Sequence, residues 1–250
     1  MKTVLNNKPR LYLLDTVRGI TLLSMILYHT LWDLVYIYRV NLPWYRGTVG
    51  YVWQQSICWT FILLSGFCVG LGRNTFKRGI IVFLGGALVS LVTYLFMREN
   101  VVAFGILTFM GIAMIFVALT EKILIKINTV IGMAVSAVVF FIMRNINDGW
   151  IGFENLKILK LPDFLYKNYI TAFLGFPHRE FYSSDYFPFL PWIFLFLTGY
   201  FLYKILEKHK ERLFSKGKVF LLSFIGRHTL IIYLLHQPLI YGILYLIYNI

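Results

Sequence analysis

Four ionisable residues, Asp15, Arg18, His29 and Asp33, fall inside the first long apolar stretch of this chain. A charge at the centre of a membrane span costs roughly 2.5 to 3.5 kcal/mol on insertion scales, so such side chains turn inward and are functional candidates by default. Helical periodicity puts Arg18, His29 and Asp33 on one stripe, with Asp15 three residues before Arg18 and within pairing reach. A carboxylate one turn from an imidazole can hold its tautomer and raise its basicity, which makes His29 with Asp33 a general-base candidate. The plainer alternatives are a helix-bridging hydrogen bond for His29 and Asp33, and for Asp15 and Arg18 a neutralised pair whose arginine snorkels to the headgroups.

The last apolar stretch repeats the pattern in Gly226-Arg227-His228-Thr229, followed by Tyr233, His236, Gln237 and Pro238. From the rise per residue, Arg18 and Arg227 lie roughly 11 and 12 Å into their spans, and His29 and His236 roughly 27 and 26 Å. If the two helices are neighbours, the arginines share an inner level suited to phosphates and the histidines an outer level suited to proton transfer. Asp185, in Ser183-Ser184-Asp185-Tyr186-Phe187-Pro188, reads as the N-cap of a helix opened by Pro188 and Pro191, at the histidine level. Thr108, about 10 Å inward along its own span, adds a hydroxyl there unless it bonds its own backbone.

The elements that must hold these residues follow from composition. The chain has 250 residues, 59% apolar, 14% charged and 18% aromatic, with a mean hydropathy of +0.71. That excludes a soluble domain, and at roughly 20 apolar residues per span the length holds about seven or eight spans with no separate catalytic domain. We expect an all-α integral membrane protein in a single polytopic domain over residues 1–250, with spans near 11–38, 48–71, 79–97, 101–120, 123–143, 187–206 and 219–249. The net charge of +13 needs no nucleic-acid partner, because the basic residues sit in loops. Alternate loops carry fourteen Lys and Arg, Lys2 and Lys8 among them, against eight, which places the N-terminus in the cytoplasm. One long connection, about 144–186, then lies outside before the sixth span, as an interfacial aromatic loop or as a lid or binding loop.

The first stretch lacks the small-residue cleavage site of a signal peptide. Cys58 and Cys68 are too far apart along one helix to bridge. No zinc spacing, phosphate loop or dinucleotide motif is visible, so no metal is expected and an ATP-driven pump is disfavoured.

Leu14-Asp15-Thr16-Val17-Arg18-Gly19 with His29 and Asp33; Gly105-Ile106-Leu107 with Gly111; Asp185-Tyr186-Phe187-Pro188 with Pro191-Trp192 and Gly199; and Gly226-Arg227-His228-Thr229 with Tyr233-Leu234-Leu235-His236-Gln237-Pro238 occur in that order. Together they resemble bacterial membrane proteins related to the catalytic domain of heparan-alpha-glucosaminide N-acetyltransferase, within the group of multi-span acyltransferases that modify cell-surface sugars. The resemblance implies a bacterial cytoplasmic-membrane enzyme that moves acetyl from cytosolic acetyl-CoA to an amine or hydroxyl of a carbohydrate at the outer face. Its partners would be membrane lipids and the sugar acceptor, with oligomerisation left open. It implies a base at His29 oriented by Asp33, acceptor-side roles for His236 and Asp185, and substrate or CoA contacts at Arg18, Arg227, His228, Thr108, Trp192 and Gln237. Thr108 stands where the family often has histidine, and residues 39–47 lack the histidine of the family's first outer loop, so His29 or His236 must do that work. The competing class is a non-enzymatic transporter or proton-coupled carrier using the same charges, although no inverted repeat is visible.

Overall fold

The computed structural model describes residues 10–248; Lys2 and Lys8, and the end of the last expected span at 249, lie outside them. The chain divides into two compact units, one running to Phe61 and resuming at Leu206, the other spanning Ile62–Ile205.

The first unit is built on α1 (Tyr12–Tyr36), α2 (Pro43–Arg46), the opening of α3 (Thr48–Val69), α9 (Lys210–Phe214), α10 (Phe220–Arg227) and α11 (Thr229–Tyr248). α1 ends where Arg39 takes a left-handed φ of 60° and the chain turns back, with the Val40 amide donating to the Leu34 carbonyl. α10 packs on α1 through glycines. A Cβ at Gly19 would stand 2.1 Å from the Leu222 carbonyl oxygen, and one at Gly226 would stand 1.8 Å from that of Asp15. Only glycine permits this backbone approach, the small-residue packing that replaces hydrophobic drive between helices in lipid. Buried Thr16 and Ser223 exchange a 2.9 Å hydrogen bond across the same contact. α11 also runs beside α1, with the Tyr38 and Tyr248 ring centroids 4.5 Å apart.

The expected last span, 219–249, is two helices rather than one. Arg227 Nε donates to the Ser223 carbonyl, Thr229 Oγ1 to the Gly226 carbonyl, and His228 Nδ1 meets the Phe224 carbonyl. Three consecutive side chains thus occupy carbonyls at the end of α10, and the ladder restarts at Thr229. The depth assigned to His236, counted across residue 228 as one unbroken helix, therefore does not hold, and Arg227 ends α10 just before the apolar helix α11.

The second unit holds the rest of α3, then α4 (Thr75–Phe96), α5 (Ile106–Leu124), α6 (Thr129–Ile142), β1 (Trp150–Phe153), β2 (Leu156–Lys160), α7 (Tyr169–Leu174) and α8 (Phe189–Leu206). Glycines again set its crossings: Gly66 and Gly199 meet backbone between α3 and α8, and Gly111 meets Phe83 between α4 and α5. The Asn128 side chain caps α6 by accepting from the Val130 and Ile131 amides. The long connection is ordered structure. β1 and β2 pair antiparallel, Asn168 and Thr171 form a capping box on α7, and the Tyr166 and Tyr186 hydroxyls donate to the Ile146 and Ala172 carbonyls.

Six helices among the described residues are long and apolar enough to cross a membrane: α3, α4, α5, α6 with its following turn, α8 and α11. α1, at 25 residues, has the length but carries Asp15, Arg18 and Asp33.

Candidate active site

The first unit brings His29, Asp33, His236 and Gln237 together. The His29 and His236 rings lie 5.0 Å apart, centroid to centroid. Asp33 is fully buried and His236 is 7% exposed. Gln237 Nε2 donates to Asp33 Oδ1 at 2.8 Å. His236 Nδ1 faces the Tyr233 carbonyl. Because a carbonyl only accepts, that contact puts the proton on Nδ1 and leaves the Nε2 lone pair open. Three buried polar atoms here lack a protein partner: Asp33 Oδ2, His236 Nε2 and Gln237 Oε1. Native interiors rarely leave such atoms unsatisfied, and three from one pair of helices mark a place where substrate or water belongs. Pro238, inside α11, cannot donate to the Leu234 carbonyl, which loosens the helix just beyond His236.

Asp33 is thus oriented by Gln237, not engaged with His29 as the one-turn spacing predicted, and the fixed imidazole is His236. Gln237, expected as a substrate contact, holds the carboxylate through Nε2 and keeps Oε1 without a protein partner.

Arg18 and Arg227 each adjoin a glycine of the α1/α10 contact. Asp15 lies 3.8 Å from Arg18 and is held more closely by Arg10, whose Nε is 2.9 Å from Asp15 Oδ2. Arg227 and His228 are exposed.

In the second unit Asp185 is the hinge of a strap. Its Oδ2 accepts the Ile106 amide at 3.0 Å, so it serves the first turn of α5 and not α8 as its position before Pro188 implied. Ser183 Oγ accepts the Ala103 amide, and the Ser184 and Phe187 amides donate to the Val101 and Phe104 carbonyls. Burial pushes the Asp185 carboxyl up to about 6, and the Ile106 amide pulls the other way. Phe104 carries a left-handed φ of 56°, an uncommon state for a bulky residue and one that clusters at functional sites. One turn on, Thr108 Oγ1 is buried without a partner, and the carbonyl four residues before it already receives the Phe187 amide. Trp192 is likewise buried between Phe187 and Phe140 at 4.9 and 5.6 Å, with Arg144 over its face and its Nε1 unpartnered. Among the described residues no cluster of three or more His, Cys, Asp or Glu is placed to hold a metal ion.

The model of the heparan-alpha-glucosaminide N-acetyltransferase catalytic domain matches residues 10–238. The chain belongs to this family. No curated protein and no solved structure matches it. Family membership and the six apolar helices make it a multi-pass membrane protein of the membrane acetyltransferase type. The stretch matched contains α1, the strap and His236, so every candidate site residue lies inside the family's domain.

The sequence reading missed the aromatic wall beside His29. Tyr28, Tyr45 and Trp53 pack against one another, with Tyr28 edge-on to His29. The signal was available in Trp44-Tyr45-Arg46, a dense aromatic run in a short connection.

Proposed function

We propose that the protein transfers an acetyl group from acetyl-CoA to an amine or hydroxyl of a carbohydrate at the outer membrane face. The observation that carries this reading is the His29–His236 pair, in which buried His236 has its tautomer fixed and its second nitrogen open. His236 Nε2 takes the proton from the acceptor as its nitrogen or oxygen attacks the thioester carbon. The tetrahedral intermediate collapses, the carbon–sulfur bond breaks, and the same proton passes to the departing thiolate, giving the acetylated sugar and CoA thiol. His29 packs against the imidazole that gains charge, and Gln237, next to His236 in the chain, holds the Asp33 carboxylate one turn from His29. Arg18 and Arg227 supply guanidinium groups for the CoA phosphates, with exposed His228 beside them. Asp185, Thr108 and Trp192 are proposed as substrate contacts of the second unit, on the strength of the unpartnered hydroxyl and indole atoms there.

The test is acetyl-CoA turnover by purified protein over a panel of amino sugars and glycans. CoA thiol released in step with acetylated sugar supports the reading, and a protein that binds neither donor nor any sugar in the panel overturns it.

A further inference from the structure

We propose that Trp44, Trp53 and Arg46 form the docking platform for a sugar ring, a subsite built from α2 and the first turns of α3. The inference rests on the proposed transfer to a carbohydrate. The Trp44 and Trp53 rings lie 6.4 Å apart and 24° from parallel, and Trp44 is 46% exposed. Trp53 meets Tyr28 at 5.4 Å, Tyr28 meets His29 at 6.0 Å, and His29 meets His236 at 5.0 Å. A continuous file of rings thus leads from an exposed indole to the imidazole pair.

An interfacial aromatic belt is the other explanation for tryptophans at this place, and the hydrogen bonds argue against it. Belt rings turn their polar tips to headgroups and water. Trp53 turns its N–H inward, donating to Ser24 Oγ at 2.8 Å, and the hydroxyl of buried Tyr45 donates to the Tyr28 carbonyl at 3.0 Å. α2 is pressed onto α3 so closely that a Cβ at Gly50 would stand 1.8 Å from the Tyr45 carbonyl oxygen. Arg46 is tied to the end of α1 through the Val35 carbonyl at 3.3 Å and lies over the Tyr36 ring. Trp53 and Tyr45 are fixed by these bonds and Trp44 lies against both, an aromatic surface of the kind that stacks on the C–H face of a pyranose, and exposed Arg46 has further N–H donors for its hydroxyls.

Calorimetric titration of the purified full chain with methyl glucosaminide, without acetyl-CoA, tests this apart from catalysis. Wild type binds, Trp44→Ala binds roughly fivefold more weakly, and Trp44→Phe recovers most of the loss, as a face-to-face contact demands. In steady-state transfer the sugar KM of Trp44→Ala rises by the same factor while the acetyl-CoA KM holds. Equal sugar affinity in wild type and Trp44→Ala overturns the platform, as does quenching of Trp44 by brominated lipid that added sugar does not relieve. Transfer to a non-sugar amine, with no sugar binding, overturns the platform while leaving acetyl transfer standing.

Discussion

Replacing Gly226 by alanine tests whether the α1/α10 contact organises the first unit. The added methyl would stand 1.8 Å from the Asp15 carbonyl oxygen and 3.0 Å from the Gly19 amide nitrogen, both backbone atoms that no rotamer change can move. Ordinary contact needs more than 3.4 Å, so the helices must part by about 1.5 Å, and that separation breaks the buried Thr16–Ser223 hydrogen bond as well. Overpacking of this kind costs about 3 kcal/mol, a fall of roughly 5 to 10 °C in apparent Tm. The control is Gly242→Ala in α11, where nothing lies within 4 Å of the new methyl; there alanine gains up to about 1 kcal/mol of helix propensity. Thermal unfolding in one detergent, followed by circular dichroism, compares the two. Equal Tm values for the two variants would refute the close-packed contact.

Three further outcomes follow from the site. Gln237→Leu strips Asp33 of its donor and leaves a buried carboxylate unsatisfied, costing about 1 to 3 kcal/mol; in an Asp33→Asn background the same change should cost much less, as a double-mutant cycle of Tm values would report. Asp185 has its carboxyl raised from 3.8 to about 6, so the folded state holds that proton more tightly than the unfolded chain does. Its contribution to stability is complete below pH 3.8 and is lost as pH rises through about 6, so wild-type Tm measured from pH 4 to 7 should fall relative to Asp185→Asn. Thr108→Val removes a hydroxyl that bonds nothing in the protein, so unfolding should shift by less than about 0.5 kcal/mol while acetyl transfer drops; a clear loss of stability would show the hydroxyl is structural.

Apolar runs revealed the helices because lipid leaves few alternatives for a backbone that must satisfy itself. Boundaries for α1, α3 and α8 were legible to within two or three residues. The break at His228 was not, because it depends on where Arg227, His228 and Thr229 direct their hydrogen bonds, and hydropathy does not register that choice. Periodicity placed His29 and Asp33 on one face, and His29 met His236 only on the condition that the opening and closing helices were neighbours, which the 5.0 Å ring contact satisfies. Spacing left open which group orients which, since i and i+4 proximity permits a hydrogen bond without selecting it over Gln237, 204 residues away. Asp185 misled for a related reason: a residue before a proline-opened helix resembles a local cap, whereas its carboxylate reaches the amide of Ile106, 79 residues earlier.

The most direct test of the central claim, that His29 and His236 act as one proton-transfer unit, is a double-mutant cycle on acetyl transfer from acetyl-CoA to glucosamine. Each of His29→Ala and His236→Ala should lower kcat by roughly 10²- to 10⁴-fold, and the double variant should be little worse than the slower single one. Wild-type kcat in either single variant, or losses that simply multiply in the double, would contradict the account.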